Sequence, residues 1–267
     1  MPDRYAVIGN PVAHSKSPQI HAEFARQTKQ DLSYERRLAP VDAFVASASA
    51  FRAGGGRGLN VTLPFKGEAF RYATACSERA RAAQAVNTLR FDGDAIFGDN
   101  TDGAGLVNDI MRNLGHAIAG RRVLLLGAGG AARGVLGPLL ELQPARLTLA
   151  NRTPEKAQLL AQGLRGAIEG GSYAALAGRA FDIVINATSA SISGALPPLP
   201  QGVFAPGALA YDMMYGKGDT PFLAFARGEG AATLADGLGM LVEQAAESFF
   251  IWRGLRPDTA PVLKLLR

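Results

Sequence analysis

Residues 127–132 read Gly-Ala-Gly-Gly-Ala-Ala and directly follow the apolar run Val-Leu-Leu-Leu. The spacing fits G-x-G-x-x-A, a string whose backbone can close on a pyrophosphate. Gly127 allows the tight turn, Gly129 lets the main chain approach phosphate oxygens, and Ala132 permits close packing of the next helix on the strand. Ala128, Gly130 and Ala131 complete the loop, and a helix N-terminus then faces the phosphate charge. The following strand decides which dinucleotide fits. A site for a free ribose 2′-hydroxyl places Asp or Glu at that strand's end. Here the strand ends Ala150-Asn151-Arg152-Thr153, with no carboxylate at its tip. Arg152 can fork onto a 2′-phosphate, Asn151 and Thr153 can donate to it, and Lys156 adds a cation one turn along. The reading is NADP rather than NAD.

Two later strand ends point to the same crevice: Asn186-Ala187-Thr188-Ser189 and Tyr211-Asp212-Met213-Met214-Tyr215. Ligands of open α/β sheets bind beyond the carboxyl ends of the strands. Thr188, Ser189 and Met213 are therefore expected along the ribose–nicotinamide half, with ordinary core packing as the alternative for Met213.

The first hundred residues hold polar side chains that a plain scaffold does not need. Ser15 and Ser17 stand just before a helix, where hydroxyls and free N–H groups can hold a carboxylate; simple capping by Ser17 is the alternative. Asn60, Thr62 and Lys66 lie at or beyond a strand end, Asn87 adds an amide on another strand, and Asp102 adds a carboxylate at the expected domain junction. His14 and His21 are read as structural. Cys76 is the one cysteine, so an intrachain disulfide is excluded, and with no metal-ligand spacing around it an inert thiol is expected.

Alternating strands and helices must position these groups. Short apolar runs end in Gly, Asn or Pro and are followed by helix-period segments, the pattern of βαβ units on a largely parallel sheet. Strands are expected over 5–8, 34–38, 59–63, 85–91, 122–126, 146–150, 181–185 and 209–213. Helices are expected over 18–30, 41–52, 78–83, 104–114, 131–142, 154–164, 240–254 and 261–267. Pro18 falls in a first helical turn, where its missing N–H costs nothing. Thr101 or Asp102 can cap the helix that Gly115 ends. The boundary between two domains falls near 101–102, with the terminal helices expected to return to the first.

The 267 residues suffice for two compact domains or one large one. A net charge of +5 admits a nucleic-acid binder, but the Arg and Lys residues are scattered and form no basic arm, so the excess suits small anionic ligands instead. No signal-peptide pattern and no bilayer-length apolar run is present, so a cytoplasmic protein is expected, with neither membrane nor nucleic acid as partner. No metal site is expected.

The chain resembles the shikimate dehydrogenase family. The matching segments are Ser-Lys-Ser-Pro, Asn-Val-Thr-Leu-Pro-Phe-Lys, Ala-Val-Asn-Thr, Asn-Thr-Asp-Gly, Gly-Ala-Gly-Gly-Ala-Ala, Asn-Arg-Thr, Asn-Ala-Thr-Ser, Tyr-Asp-Met-Met-Tyr and Gly-Leu-Gly-Met-Leu-Val-Glu-Gln-Ala. They occur in the family's order over nearly the whole chain. The resemblance implies an α/β fold: a substrate domain over 1–101 joined by 238–267, a Rossmann-like doubly wound NADP domain over 102–237, and a cleft between them. It implies reversible, NADP-dependent reduction of 3-dehydroshikimate to shikimate on the route to chorismate and aromatic amino acids. By that resemblance Ser15, Ser17 and Tyr215 bind the substrate carboxylate. Thr62, Lys66, Asn87, Asp102 and Gln244, with Asn60 beside them, hold the ring hydroxyls. Lys66 and Asp102 form the catalytic pair, and Gly237 joins the cofactor set. A monomer or homodimer is expected. The alternatives are a quinate/shikimate dehydrogenase with relaxed cofactor use, which Arg152 argues against, and a non-catalytic ligand sensor, which the retention of Lys66 and Asp102 argues against.

Overall fold

A computed structural model describes residues 1–267 except 189, 191–193 and 217. The chain forms two compact units, Met1–Gly105 with Leu241–Arg267, and Leu106–Met240.

The first unit opens with β1 (Asp3–Gly9), whose Tyr-Ala-Val-Ile run is buried on both faces, as a central parallel strand requires. Then come α1 (Ser17–Thr28), β2 (Leu32–Leu38), α2 (Phe44–Ala53), β3 (Gly56–Val61), α3 (Lys66–Tyr72), β4 (Ala75–Cys76), α4 (Glu78–Ala83), β5 (Thr88–Asp92) and β6 (Ala95–Asp99). The sheet order is β2-β1-β3-β5-β6-β4. β1 pairs in parallel with β2 and β3, whereas β5 runs antiparallel to both β3 and β6. The simple parallel alternation expected from sequence thus breaks at a β5–β6 hairpin. Its two-residue loop is Gly93-Asp94, closed by the Asp92–Ala95 pair, with Gly93 at φ +57. The first loop position takes positive φ, which glycine adopts without strain.

Besides β6, two further elements of this unit, α3 and β4, were not legible in the periodicity. α3 is short and follows Pro64, but Phe65 and Ala69, four residues apart, are both fully buried and fix its inner face. β4 has only two residues and exists through its pairing with β6. Pro18 does sit in the first turn of α1, and Lys29 ends the helix in a left-handed conformation at φ +52.

α5 (Asp102–Asn108) passes into a π-helical turn over Asp109–Asn113, where one uninterrupted helix was expected. The second unit continues with β7 (Arg122–Leu126), α6 (Gly130–Glu141), β8 (Arg146–Ala150), α7 (Pro154–Gln162), β9 (Ile168–Gly171), β10 (Phe181–Asn186), β11 (Phe204–Asp212), α8 (Pro221–Gly228) and β12 (Thr233–Ala235). All strands are parallel, in the order β12-β11-β10-β7-β8-β9. This is the doubly wound arrangement, and its order reverses between β7 and β10. The glycine loop leaves β7, so it stands at that reversal. β9 escaped notice because Gly170 and Gly171 read as breakers. Gly170 is needed, since a Cβ there would overlap the backbone of Ala157 on α7. The early half of β11 was hidden by Pro206-Gly207, where its register against β10 shifts.

The chain ends in α9 (Leu238–Arg253) and α10 (Ala260–Leu266). Val242, Ala245, Ala246 and Phe249 of α9 and Val262 and Leu263 of α10 pack with Ile20 and Phe24 of α1 in one apolar cluster. Among the described residues no helix is long and apolar enough to cross a membrane, and no group of His, Cys, Asp and Glu has a metal-binding arrangement.

Candidate active site

The polar centre of the first unit is built around Lys66 and Asp102. Lys66 is the first residue of α3, and its carbonyl accepts from the N–H of Val86, which ties it to the segment carrying Asn87. Asp102 begins α5 at the other side of that segment, where its charge complements the helix dipole. The Lys66 Nζ donates to Asp102 Oδ2 at 2.6 Å, with side-chain exposures of 28% and 11%. The carboxylate is sheltered while the ammonium still reaches the surface.

Asn87 fixes the other carboxylate oxygen. Its Nδ2 donates to Asp102 Oδ1 at 2.8 Å and to Thr101 Oγ1 at 2.9 Å, and its Oδ1 accepts from the Thr101 N–H. Gln244 of α9 joins through Oε1, which lies 3.3 Å from Asn87 Nδ2 and 3.2 Å from Thr101 Oγ1. The structure therefore brings Lys66, Asn87, Asp102 and Gln244 together. Thr101 neither caps α5 with its hydroxyl nor faces away; it serves this network.

Asn60 stands differently from its expected place on the substrate. It is 6% exposed, and its amide is committed to the interior. Its Nδ2 donates to Ser248 Oγ at 2.9 Å and Thr88 Oγ1 at 3.2 Å, and its Oδ1 accepts from Tyr34 at 2.7 Å. Thr88 and Ser248 share a further bond at 2.7 Å, and Thr88 reaches Asn87 Oδ1 at 3.0 Å. Asn60 thus anchors a buried chain ending at Asn87. Tyr34, Thr88 and Ser248 belong to it too. Sequence reading missed them, because a Ser inside a helix and a Tyr on an edge strand carry no motif.

Thr62 follows β3, with its N–H on the Ile8 carbonyl and its methyl against Gly9. Ser15 Oγ lies 3.1 Å from Ser17 Oγ, and Ser15 Oγ also accepts from the Ser17 N–H. Ser17 is buried inside the first turn of α1 and does not cap it; Lys16 holds the N-cap position without a side-chain bond. The Ser15 carbonyl is gripped by both Nε and Nη2 of Arg36, which steadies the loop.

In the second unit the glycine loop leaves β7 at Gly127, whose φ of +108 only glycine adopts readily. Positions 129 and 130 face open space, and nothing stands within 4 Å of where their Cβ atoms would be. Ala132 is fully buried against the strand. Ala128 is buried, Ala131 is exposed, and the loop opens α6 with no side chain capping it. Unclaimed N–H groups at a helix start beside an open glycine cradle are what a pyrophosphate needs, so the residues present fit a dinucleotide.

At the end of β8, Arg152, Thr153 and Lys156 are exposed. Neither cation forms a salt bridge among the described residues. The Asn151 amide donates to the Thr153 carbonyl at 2.9 Å, and the Thr153 hydroxyl caps nothing. The three exposed groups can meet a 2′-phosphate. Thr188, after β10, donates to Asn186 Oδ1 at 2.7 Å, and its methyl stands beside Gly127, so two strand ends meet here. Met213 is half-buried, packs on the main core, and bonds to the Asn186 carbonyl through its N–H. Gly237 is pressed so close to the Met213 carbonyl that a Cβ would overlap it. Tyr215 is half-buried, and burial pushes its phenol pKa up. Ser189 lies outside the described residues.

Three family descriptions match this chain: shikimate dehydrogenase substrate binding domain over 7–89, shikimate/quinate 5-dehydrogenase over 109–193, and shikimate 5′-dehydrogenase C-terminal domain over 237–267. A protein of Dechloromonas aromatica named shikimate dehydrogenase (NADP(+)) is 64% identical over 269 residues, covering 100% of this chain and 98% of the relative. The chain belongs to the shikimate dehydrogenase family. Among solved structures, an Ael1 enzyme from Pseudomonas putida is 52% identical with a TM-score of 0.95, covering 99% of this chain and 98% of that one. The shikimate 5-dehydrogenase of Thermus thermophilus, solved with NADP(H) and shikimate, is 33% identical with a TM-score of 0.86, covering 98% and 97%. As a member of this dehydrogenase family the chain is an oxidoreductase acting on a CH–OH group with NADP as cofactor. The exposed Arg152 agrees with a phosphorylated cofactor.

Proposed function

We propose that this chain reversibly reduces 3-dehydroshikimate to shikimate with NADPH, and that Lys66 and Asp102 are its catalytic pair. The 2.6 Å contact between Lys66 Nζ and Asp102 Oδ2 carries the reading. Bound NADPH supplies the hydride. Reduction of a ketone builds negative charge on its oxygen, and the Lys66 ammonium stabilises that charge and donates the proton. In the oxidative direction Lys66 Nζ receives the hydroxyl proton. Asp102 holds the ammonium through Oδ2, is itself held by Asn87 through Oδ1, and accepts from a ring hydroxyl. Thr62, Asn87 and Gln244 orient the ring. Ser15 and Ser17 hold its carboxylate, with Tyr215 assigned to the same group.

In the same reading, 1–101 with 238–267 form the substrate domain and 102–237 the cofactor domain. Gly127, Ala128, Gly129, Gly130 and Ala131 cradle the pyrophosphate, Asn151, Arg152, Thr153 and Lys156 hold the 2′-phosphate, and Thr188, Ser189, Met213 and Gly237 line the nicotinamide half. The protein works in the cytoplasm as a monomer or homodimer, without nucleic acid or membrane as partner.

The test is an absorbance assay at the nicotinamide band with shikimate and NADP. Lys66→Ala should lower kcat by about a hundredfold or more, as loss of a positioned acid–base group does, with little change in KM. Near-wild-type turnover of that variant would remove Lys66 from the role.

A further inference from the structure

The cofactor reading gives no task to Asp109, a buried carboxylate of the second unit. Asp109 begins the π-helical turn after α5 and is almost wholly buried. Such turns are rare inside α-helices and are found frequently at functional sites. Asp109 Oδ2 accepts from the Tyr211 hydroxyl at 2.6 Å, and Asn113 Nδ2 donates to Asp109 Oδ1 at 2.8 Å. Tyr211 lies on β11, two residues before Met213, and is fully buried. Its oxygen in turn accepts from the Met240 N–H at 3.2 Å, one of the free donors in the first turn of α9.

The glycines beside this pair have no spare room. A Cβ at Gly239 would overlap the Asp109 carboxylate, and a Cβ at Gly237 would overlap the Met213 carbonyl. The Gly237 N–H bonds to the Met214 carbonyl at 3.0 Å. The segment 237–240 is therefore pinned on one side by residues 213–214 and on the other by Asp109 and Tyr211.

We infer that Asp109 and Tyr211 are positioning residues for the nicotinamide half of the cofactor. By fixing the 237–240 segment against the end of β11, they set where Met213 and Gly237 stand. This rests on the assignment of Met213 and Gly237 to that half. Neither Asp109 nor Tyr211 needs to touch the cofactor, since both act through the backbone they hold.

The experiment measures binding of two probes to the full chain, NADP⁺ and adenosine 2′,5′-bisphosphate, which lacks the nicotinamide. Tyr211→Phe removes one hydroxyl from a filled site and keeps the ring. It should weaken NADP⁺ about fivefold or more, the scale of one ordinary hydrogen bond, and leave the bisphosphate within about twofold. Asp109→Asn should act in the same direction. Equal weakening of both probes would mark a purely structural role and overturn the inference, as would no change in either. Tyr211→Phe decides between these outcomes even if Asp109→Asn does not fold. Gly237→Ala separates the two layers. If it weakens NADP⁺ selectively while Tyr211→Phe does not, the inference alone falls. If Gly237→Ala spares NADP⁺, the assignment beneath it falls and takes the inference with it.

Discussion

His21 carries a pH dependence that can be worked out in advance. It is fully buried, and its ring lies 4.3 Å from that of Tyr34, nearly parallel, with Phe24, Phe249 and Trp252 around it. Neither ring nitrogen has a partner in hydrogen-bonding geometry among the described residues. Burial pushes the imidazole pKa down to about 3, and the neighbouring Asn60 amide opposes this only in part. In the unfolded chain the same group titrates near 6.5. Between those values the unfolded state binds a proton that the folded state refuses, so folding stability rises with pH across that window. The stability is fully present above the unfolded value and is lost as pH falls toward 3. From pH 7 to pH 5 the loss attributable to this one group is about 2 kcal/mol, taking 6.5 and about 3 as the two pKa values.

The perturbation is His21→Leu, which keeps side-chain bulk and removes the titration. Urea unfolding followed by Trp252 fluorescence suits the measurement, because Trp252 is the one tryptophan and its ring lies 5.3 Å from His21. Carboxylates lower the stability of both proteins in acid, so the informative quantity is wild type minus variant. That difference should move against the wild type by about 2 kcal/mol between pH 7 and pH 5. Parallel pH profiles for the two proteins would refute the argument, since they would mean that His21 takes up its proton without unfolding.

Arg152→Ala should raise the KM for NADP far more than that for NAD, because only the former has a phosphate for the guanidinium to hold; equal changes in steady-state assays would show that Arg152 does not read it. Ser248→Ala leaves the Asn60 amide and the Thr88 hydroxyl each short of a buried partner. It should cost about 1–3 kcal/mol in chemical denaturation and lower kcat more than it raises the KM for shikimate, because the change reaches Asp102 through Asn87 and Thr101 rather than by direct contact. Gly127→Ala forces a side chain into φ +108 and toward the Ala187 carbonyl, and should abolish measurable NADP binding in calorimetry before it unfolds the chain.

The sequence was most informative where one residue type answers to one local demand. Val123 to Leu126 is fully buried by neighbours on both faces, so its uninterrupted apolar run marked β7 without ambiguity. The glycine loop and the acid-free end of β8 were readable for the same reason, because a pyrophosphate and a 2′-phosphate each ask for a particular backbone or charge. The hairpin of β5 and β6, the two-residue β4 and the Gly-rich β9 were not. Each exists through pairing with a partner strand, and periodicity within a window does not contain that information. The same limit applied to Asn60. Its place in Asn-Val-Thr-Leu-Pro-Phe-Lys put it beside Thr62 and Lys66, but strand alternation says only which face it takes. That the face is closed by Ser248, 188 residues away, appears only in three dimensions.

Glycines illustrate how the surroundings give one residue type opposite duties. Gly129 and Gly130 look alike in sequence to Gly237 and Gly239, since both pairs sit at the start of a helix. Space separates them. The first pair faces room for something larger than a methyl group, with helix N–H groups that no side chain satisfies. The second pair has no room at all, because the Met213 carbonyl and the Asp109 carboxylate already fill the volume a Cβ would take. An alanine at 129 or 130 would therefore cost the folded chain little and act on the ligand, whereas one at 237 or 239 must first displace backbone or a buried charge. Loss of affinity without loss of stability is the signature expected of the first pair, and loss of both of the second.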